Sequence, residues 1–307
     1  MRLRTNPVLA RELTERMRRR ATPVQISLFL LAVIGIFASL FQVFMAMSRT
    51  VRCIEGNCFE EAGVLGFAGA GRQLFQTLLF FVVGLACMII PALTAGAIAG
   101  ERERQTLVPL QLTLLSPLQI VLGKLSASLA FMLFLLFATL PVLGVTFLIG
   151  GVSVPEVLKA ALMIVLVCLM IGAVSIMCSA LLRRSQGATV AAYGLVFVLS
   201  VGTFVPMAIL PIVQRFESPI RPATTIFLAP NPFAATASIV SGPVDSPLVG
   251  FRSEVLEHAR NRPGLTPPER ALARVPFWLF SVIALASVSA GALLIAAWAL
   301  RTPREEP

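Results

Sequence analysis

Apolar residues gather along the chain into six long runs, at 24–47, 74–99, 125–150, 158–182, 188–213 and 277–300. A bilayer-spanning helix needs about 20 such residues, and every run is long enough. The interiors of the runs hold no Asp, Glu, Lys, Arg or His, and Lys159 stands only at an end. Prolines fall inside or at the ends of runs, at Pro91, Pro141, Pro206 and Pro211. They are expected to kink helices rather than stop them, because neighbouring helices satisfy the freed carbonyls; Pro91 is the residue picked out for that structural role. Trp278 and Trp298 lie near the two ends of the last run. At 1.5 Å per residue they stand about 30 Å apart, one hydrocarbon thickness, as interfacial tryptophans do. The pattern predicts an all-α integral membrane protein with six spans.

The polar stretches order these spans. "TNPVLARELTERMRRR" puts Leu9, Leu13 and Met17 at four-residue intervals among Arg and Glu. Thr5 or Asn6 can cap and Pro7 suits a first turn, so residues 1–22 read as an amphipathic helix on the membrane surface, with 23–307 as the membrane domain. The run that follows is too long for a cleavable signal peptide. Seven arginines precede the first span, which places the N-terminus in the cytoplasm. Six crossings return the C-terminus there, with 100–124 and the turn "RRSQ" on the same side. The loops 48–73, 151–157 and 214–276 then face outward. The last carries seven arginines, which a long loop tolerates. Within it 223–240 is mildly apolar but broken by prolines. It reads as a short helical segment dipping into the outer interface, with a seventh span as the alternative.

Composition narrows the function. The chain is 57% hydrophobic and 13% charged, against about a quarter charged in soluble domains. The net charge of +10 is spread over segment ends, where topology puts it, and not over a patch for nucleic acid. Intramembrane ionisable groups, the mark of proton relays and ion paths, are missing from the spans. The single histidine, His258, lies in an outer loop, so neither a zinc protease nor a Ser-His hydrolase is indicated. There is no Walker loop. No catalytic residue and no metal site is assigned; uphill transport would draw its energy from a partner. Cys87, Cys168 and Cys178 lie in apolar runs as small hydrophobes. Cys53 and Cys58 flank "IEGN" in a loop expected to face an oxidising compartment, and form a candidate disulfide.

The remaining feature is "GERERQTL" at 100–107, four charges between two spans. Continued helix would bring Glu101 near Arg104 or Gln105. Pro109 interrupts it, Leu107, Leu110 and Leu114 make an apolar stripe, and Ser116-Pro117 is a fresh cap and first turn. Lys124 falls near the interface. An anchoring loop needs only a few Lys or Arg. Paired acids and bases beside leucines suit docking into a partner's groove. Reversing the charges of Glu101 and Arg102 is expected to weaken docking without unfolding the spans.

"ERERQTLVPLQLTLLSPLQIVLGK" resembles the signature of the ABC-2 family of ABC transporter permeases. Glu101, Arg102, Glu103, Thr106, Leu107, Thr113, Leu115, Ser116, Gly123 and Lys124 match it. Val108 stands where the family often has an acid and Leu114 where it often has Pro. "NPVLARELTERMRRR" is similar to the opening of one bacterial branch, and "NPF" at 231–233 to its pre-terminal loop. The resemblance implies a six-helix permease with an N-terminal connecting helix and a coupling helix between spans two and three. Glu101, Arg102, Glu103, Arg104, Thr106, Leu107, Leu110 and Ser116 would then meet an ABC ATPase. ATP and Mg²⁺ would be held by that partner and not by this chain. A second permease copy or a paralogue would complete the transporter in the bacterial plasma membrane, with a substrate path lined mostly by spans two and five. The competing readings are a membrane scaffold or assembly protein and an ion-coupled carrier.

Overall fold

The computed structural model describes residues 21–47, 52–54, 57–59, 64–106, 116–150, 152–205, 226–239 and 277–301. Apart from a two-stranded hairpin, these residues form helices and their connecting turns. In chain order the elements are α1 (Ala21–Met47), β1 (Arg52–Ile54), β2 (Asn57–Phe59), α2 (Val64–Thr94) and α3 (Ala99–Glu103). There follow α4 (Pro117–Ile149), α5 (Val154–Leu181), α6 (Ser185–Phe197), α7 (Pro232–Ala237) and α8 (Phe277–Arg301). A π-helical turn, Val198–Gly202, prolongs α6. Five of the helical stretches are long and apolar enough to cross a membrane: Gly71–Glu103, Pro117–Ile149, Val154–Leu181, Ser185–Gly202 and Phe277–Arg301. The first predicted span is the 27-residue helix α1. The predicted surface helix lies outside the described residues up to residue 20, as do the leucines of the 107–115 stripe, the end of span five from 206 and most of the loop 214–276.

Helix α5 is the centre of the bundle and touches α2, α4, α6, α7 and α8. Its Val167, Met170, Ile171, Ala173 and Ile176 are completely buried. Lipid tails are as apolar as leucine, so helices in a bilayer associate through close packing, which small residues permit. Helix α8 shows this. Ser281, Leu285, Ser289, Ala292, Ala296 and Ala299 recur every three or four residues and are all buried, making one mostly small-residue stripe. On α5, a Cβ at Gly172 would come within 2.7 Å of Leu125 Cδ1, so glycine there sets how closely α4 approaches. At Gly71 the added atom would run into the carbonyl oxygen of Gly150 at the end of α4.

Two clusters fix the directions of the helices. At one end, here called the foot end, Ile98, Val121, Leu125, Ile176, Ala180, Ala296, Ala299 and Leu300 pack together. This joins the C-terminal ends of α2, α5 and α8 to the N-terminal end of α4. At the far end Arg72 Nη2 donates to Glu156 Oε1 at 2.9 Å, and Lys159 Nζ lies 5.7 Å from the Trp278 ring centroid. The alternation is the one that consecutive crossings require.

Three local details add to the sequence reading. Helix α2 does not run smoothly past Pro91: it gives way at Thr94 to a turn over 95–98 before α3. Pro91 itself stays inside the helix, its carbonyl accepting from Ala95 N at 2.9 Å, and beyond the turn the amides of Ile98 and Ala99 donate to Ser179 Oγ of α5, at 2.9 and 3.0 Å. The Thr94 and Ser175 hydroxyls donate to their own helices at Ile90 O and Ile171 O, the nearest acceptors for a buried hydroxyl. The segment 223–240 holds a 3₁₀ turn, Ile226–Leu228, and the six-residue α7. The helix described there is about 9 Å long, too short to span a bilayer by itself, and it packs against α2, α5 and α8.

Candidate functional site

The foot is built on α3. Arg104 N still donates to Gly100 O, but Gln105 takes φ 57° and ends the helix. Thr106 closes the turn, its N–H and Oγ1 both donating to Glu101 O at 2.9 and 3.2 Å. Across the gap, Ser116 opens α4 with a complete capping box: Ser116 Oγ accepts from Gln119 N, and Gln119 Oε1 accepts from Ser116 N. That satisfies two orphan donors of the first turn. Leu107 and Leu110, between these two anchors, lie outside the described residues.

Each charge of "ERER" has a separate destination. Lys124 Nζ, on the buried face of α4, donates to Glu101 Oε1 at 2.7 Å. Arg102 reaches the last turn of α5, its Nη1 donating to Leu182 O and its Nη2 to Ala180 O, both at 3.4 Å. Glu103 Oε1 accepts from Ser185 N, the first amide of α6, at 2.7 Å. Arg104 points out and is exposed, with Thr106 and Ser116 exposed beside it. A helix leaves its last carbonyls and first N–H groups unpaired, with partial negative and positive charge respectively. A cation therefore belongs at the end of α5 and an anion at the start of α6, and this alternation of Arg102 and Glu103 supplies both from one turn.

The foot thus pins the ends of four helices together. Three predicted contact residues, Glu101, Arg102 and Glu103, spend their charges inside the subunit. Reversing Glu101 and Arg102 would therefore disturb contacts inside the bundle as well as any docking surface. Lys124, expected near the interface, lies at the foot end, buried against the Glu101 carboxylate.

The sequence pattern of the ABC-2 family transporter protein matches residues 7–257. The chain belongs to the ABC-2 transporter family. Comparison with curated proteins finds no match. The protein is accordingly a multi-pass membrane component of ABC transport, in a family that works with ABC ATPase subunits. The foot of this permease lies within the matched region, and so does the 231–233 segment.

Sequence reasoning missed Ser179 and the role of Asn231 in this permease. Ser179 is a lone buried hydroxyl near the end of an apolar run, and nothing local says that it serves a break 80 residues away. Asn231 gave a signal, Asn before Pro at a helix start. Its Oδ1 accepts from Phe233 N and Ala234 N, capping α7. Its Nδ2 donates to Ser200 O at 2.7 Å and to Thr203 Oγ1 at 2.6 Å. Tyr193, on α6, donates to Met88 O at 2.6 Å, tying spans two and five. In the hairpin, the register sets Cys53 directly opposite Cys58. Among the described residues no group of His, Cys, Asp and Glu is arranged to hold a metal.

Proposed function

We propose that this ABC-2 permease is the transmembrane subunit of an ATP-driven exporter in the plasma membrane, with the foot end in the cytoplasm. Both termini lie on that side and six spans cross, α1 being the first. An ABC ATPase carries the ATP and Mg²⁺ and docks beneath the foot. A second copy or a paralogue supplies the other half of the path.

The observation that carries this reading is the wiring of the foot. Glu101 holds α4, Arg102 holds the end of α5 and Glu103 holds the start of α6. Force applied at the outer rim, through Arg104, Thr106, Ser116 and the leucines between, reaches four span ends at once. A loop that only connected two helices would need none of this. The interiors of the spans, between their charged ends, lack ionisable groups, which fits coupling energy arriving at the foot. Span five, held at its first amide by Glu103, is the element best placed to move with it. Cys53 and Cys58, facing outward, form a disulfide; their opposed positions in the hairpin support it, since such pairs have Cα atoms about 4.5–5.5 Å apart.

Purification from native membranes in mild detergent, with mass spectrometry of the bound proteins, tests the reading. A stoichiometric ABC ATPase is expected. Recovery of the subunit alone, or with an unrelated cytoplasmic protein, overturns it; ion-dependent flux by the isolated subunit in vesicles would make it a carrier.

A further inference from the structure

Span five carries an irregularity that coupling at the foot does not use. The π-helical turn Val198–Gly202 interrupts the α-helical hydrogen bonding near its far end. Such turns hold one extra residue and are less stable than α-helix unless something outside bonds their displaced carbonyls. Here Asn231 bonds them. One bond from Nδ2 goes to Ser200 O directly. The other goes to Thr203 Oγ1, which itself donates to Leu199 O at 2.9 Å. Asn231 is completely buried, and all four hydrogen-bonding positions of its amide are filled. On the opposite side, Ser200 Oγ lies 3.9 Å from Cys87 Sγ of α2, and both are buried.

We infer that Asn231 is a latch on span five: it holds the π turn in place from α7, and its release lets the turn relax to α-helix with a one-residue change of register. Losing the extra residue rotates the helix beyond it by about 100° and shifts it by about 1.5 Å. Ser200 is now buried while Val198 and Val201 on the same turn are exposed. The change therefore exchanges apolar for hydroxyl surface on the exposed face of span five. Its use as an outer gate rests on the transport reading above, whereas the latch itself is a property of the isolated subunit.

Cys87 is a native reporter, because the π turn covers it. The experiment treats the full-length subunit in lipid nanodiscs, without ATPase, with N-ethylmaleimide, and follows Cys87, Cys168 and Cys178 separately by peptide mass spectrometry. All three are buried. Asn231→Ser keeps a cap for α7 but withdraws the amide; Thr203→Val cuts the relay without touching α7. Each variant is expected to raise Cys87 labelling about tenfold, the factor carried by the loss of one or two buried hydrogen bonds, with Cys168 and Cys178 unchanged. Unchanged Cys87 labelling in both variants overturns the latch. So does a parallel rise at all three thiols, which reports general loosening. Neither result bears on whether an ATPase binds the foot.

Discussion

Replacing Glu101 by alanine removes the carboxylate that pairs with a buried ammonium. The Lys124 side chain is 3% exposed and the Glu101 side chain 28%, so the two members of the pair do not lose the same thing when the other is removed. Without Glu101, the Lys124 ammonium loses its carboxylate in a site that water scarcely reaches. Removing one partner of a fully buried pair costs about 3–5 kcal/mol. Here the lower end applies, since Glu101 is partly wetted and its Oε2, though buried, bonds nothing among the described residues. Without Lys124, the carboxylate still meets solvent, so Lys124→Met, which keeps the aliphatic stem, costs about 1 kcal/mol. The double variant leaves no buried ammonium and should sit near Lys124→Met, not at the sum. At about 2–4 °C per kcal/mol for chains of this order, Glu101→Ala lowers the midpoint by about 6–12 °C and the other two by about 2–4 °C. Thermal unfolding in detergent, followed with a thiol-reactive dye that reads the buried cysteines, measures all three. Equal losses in the single variants, or an additive double variant, would refute the argument that burial of Lys124 decides the energetics.

Ser179→Ala deprives the amides of Ile98 and Ala99 of their acceptor; a loss of about 1–3 kcal/mol is expected in the same assay. Gly172→Val drives side-chain atoms into Leu125 and should cost about 1–3 kcal/mol as overpacking does, with α4 shifted at its foot end. Cys53 and Cys58 should resist alkylation until a reductant is added, and the paired serine variant should lose about 2 kcal/mol, the entropy of so short a loop.

What the sequence shows of this protein follows from range. The runs of apolar residues are local, and a bilayer imposes their length, so the spans at 154–181 and 277–301 could be read to within four residues, and that at 117–149 to within one residue at its end though eight at its start. Ser116-Pro117 and Asn231-Pro232 were legible for the same reason, because a cap is a contact between neighbours. The destinations of "ERER" were not. Glu101 and Arg104 invite a pairing four residues apart or fewer, yet the carboxylates go to Lys124 and to Ser185 N, on other helices. Whether a charge at a membrane edge faces a partner or caps a neighbouring helix depends on packing that no window of sequence contains. The outer rim of the foot, Arg104 with Thr106 and Ser116, emerges only after the inward-facing members are removed from the list. Hydroxyls carry no local clue either: Thr94 and Ser175 bond their own helices, whereas Ser179, one turn along α5, bonds across to Ile98 and Ala99.

The account claims that the outer rim of the foot meets an ATPase while its inner charges hold the bundle. A photo-crosslinking amino acid in place of Arg104, in native membranes, tests this most directly, with the same group at Leu148, which is 84% exposed at the other end of α4, as reference. Illumination is predicted to join the Arg104 variant to an ABC ATPase subunit and the Leu148 variant to lipid or permease only. Crosslinks from position 104 confined to lipid or to this chain would contradict the claim.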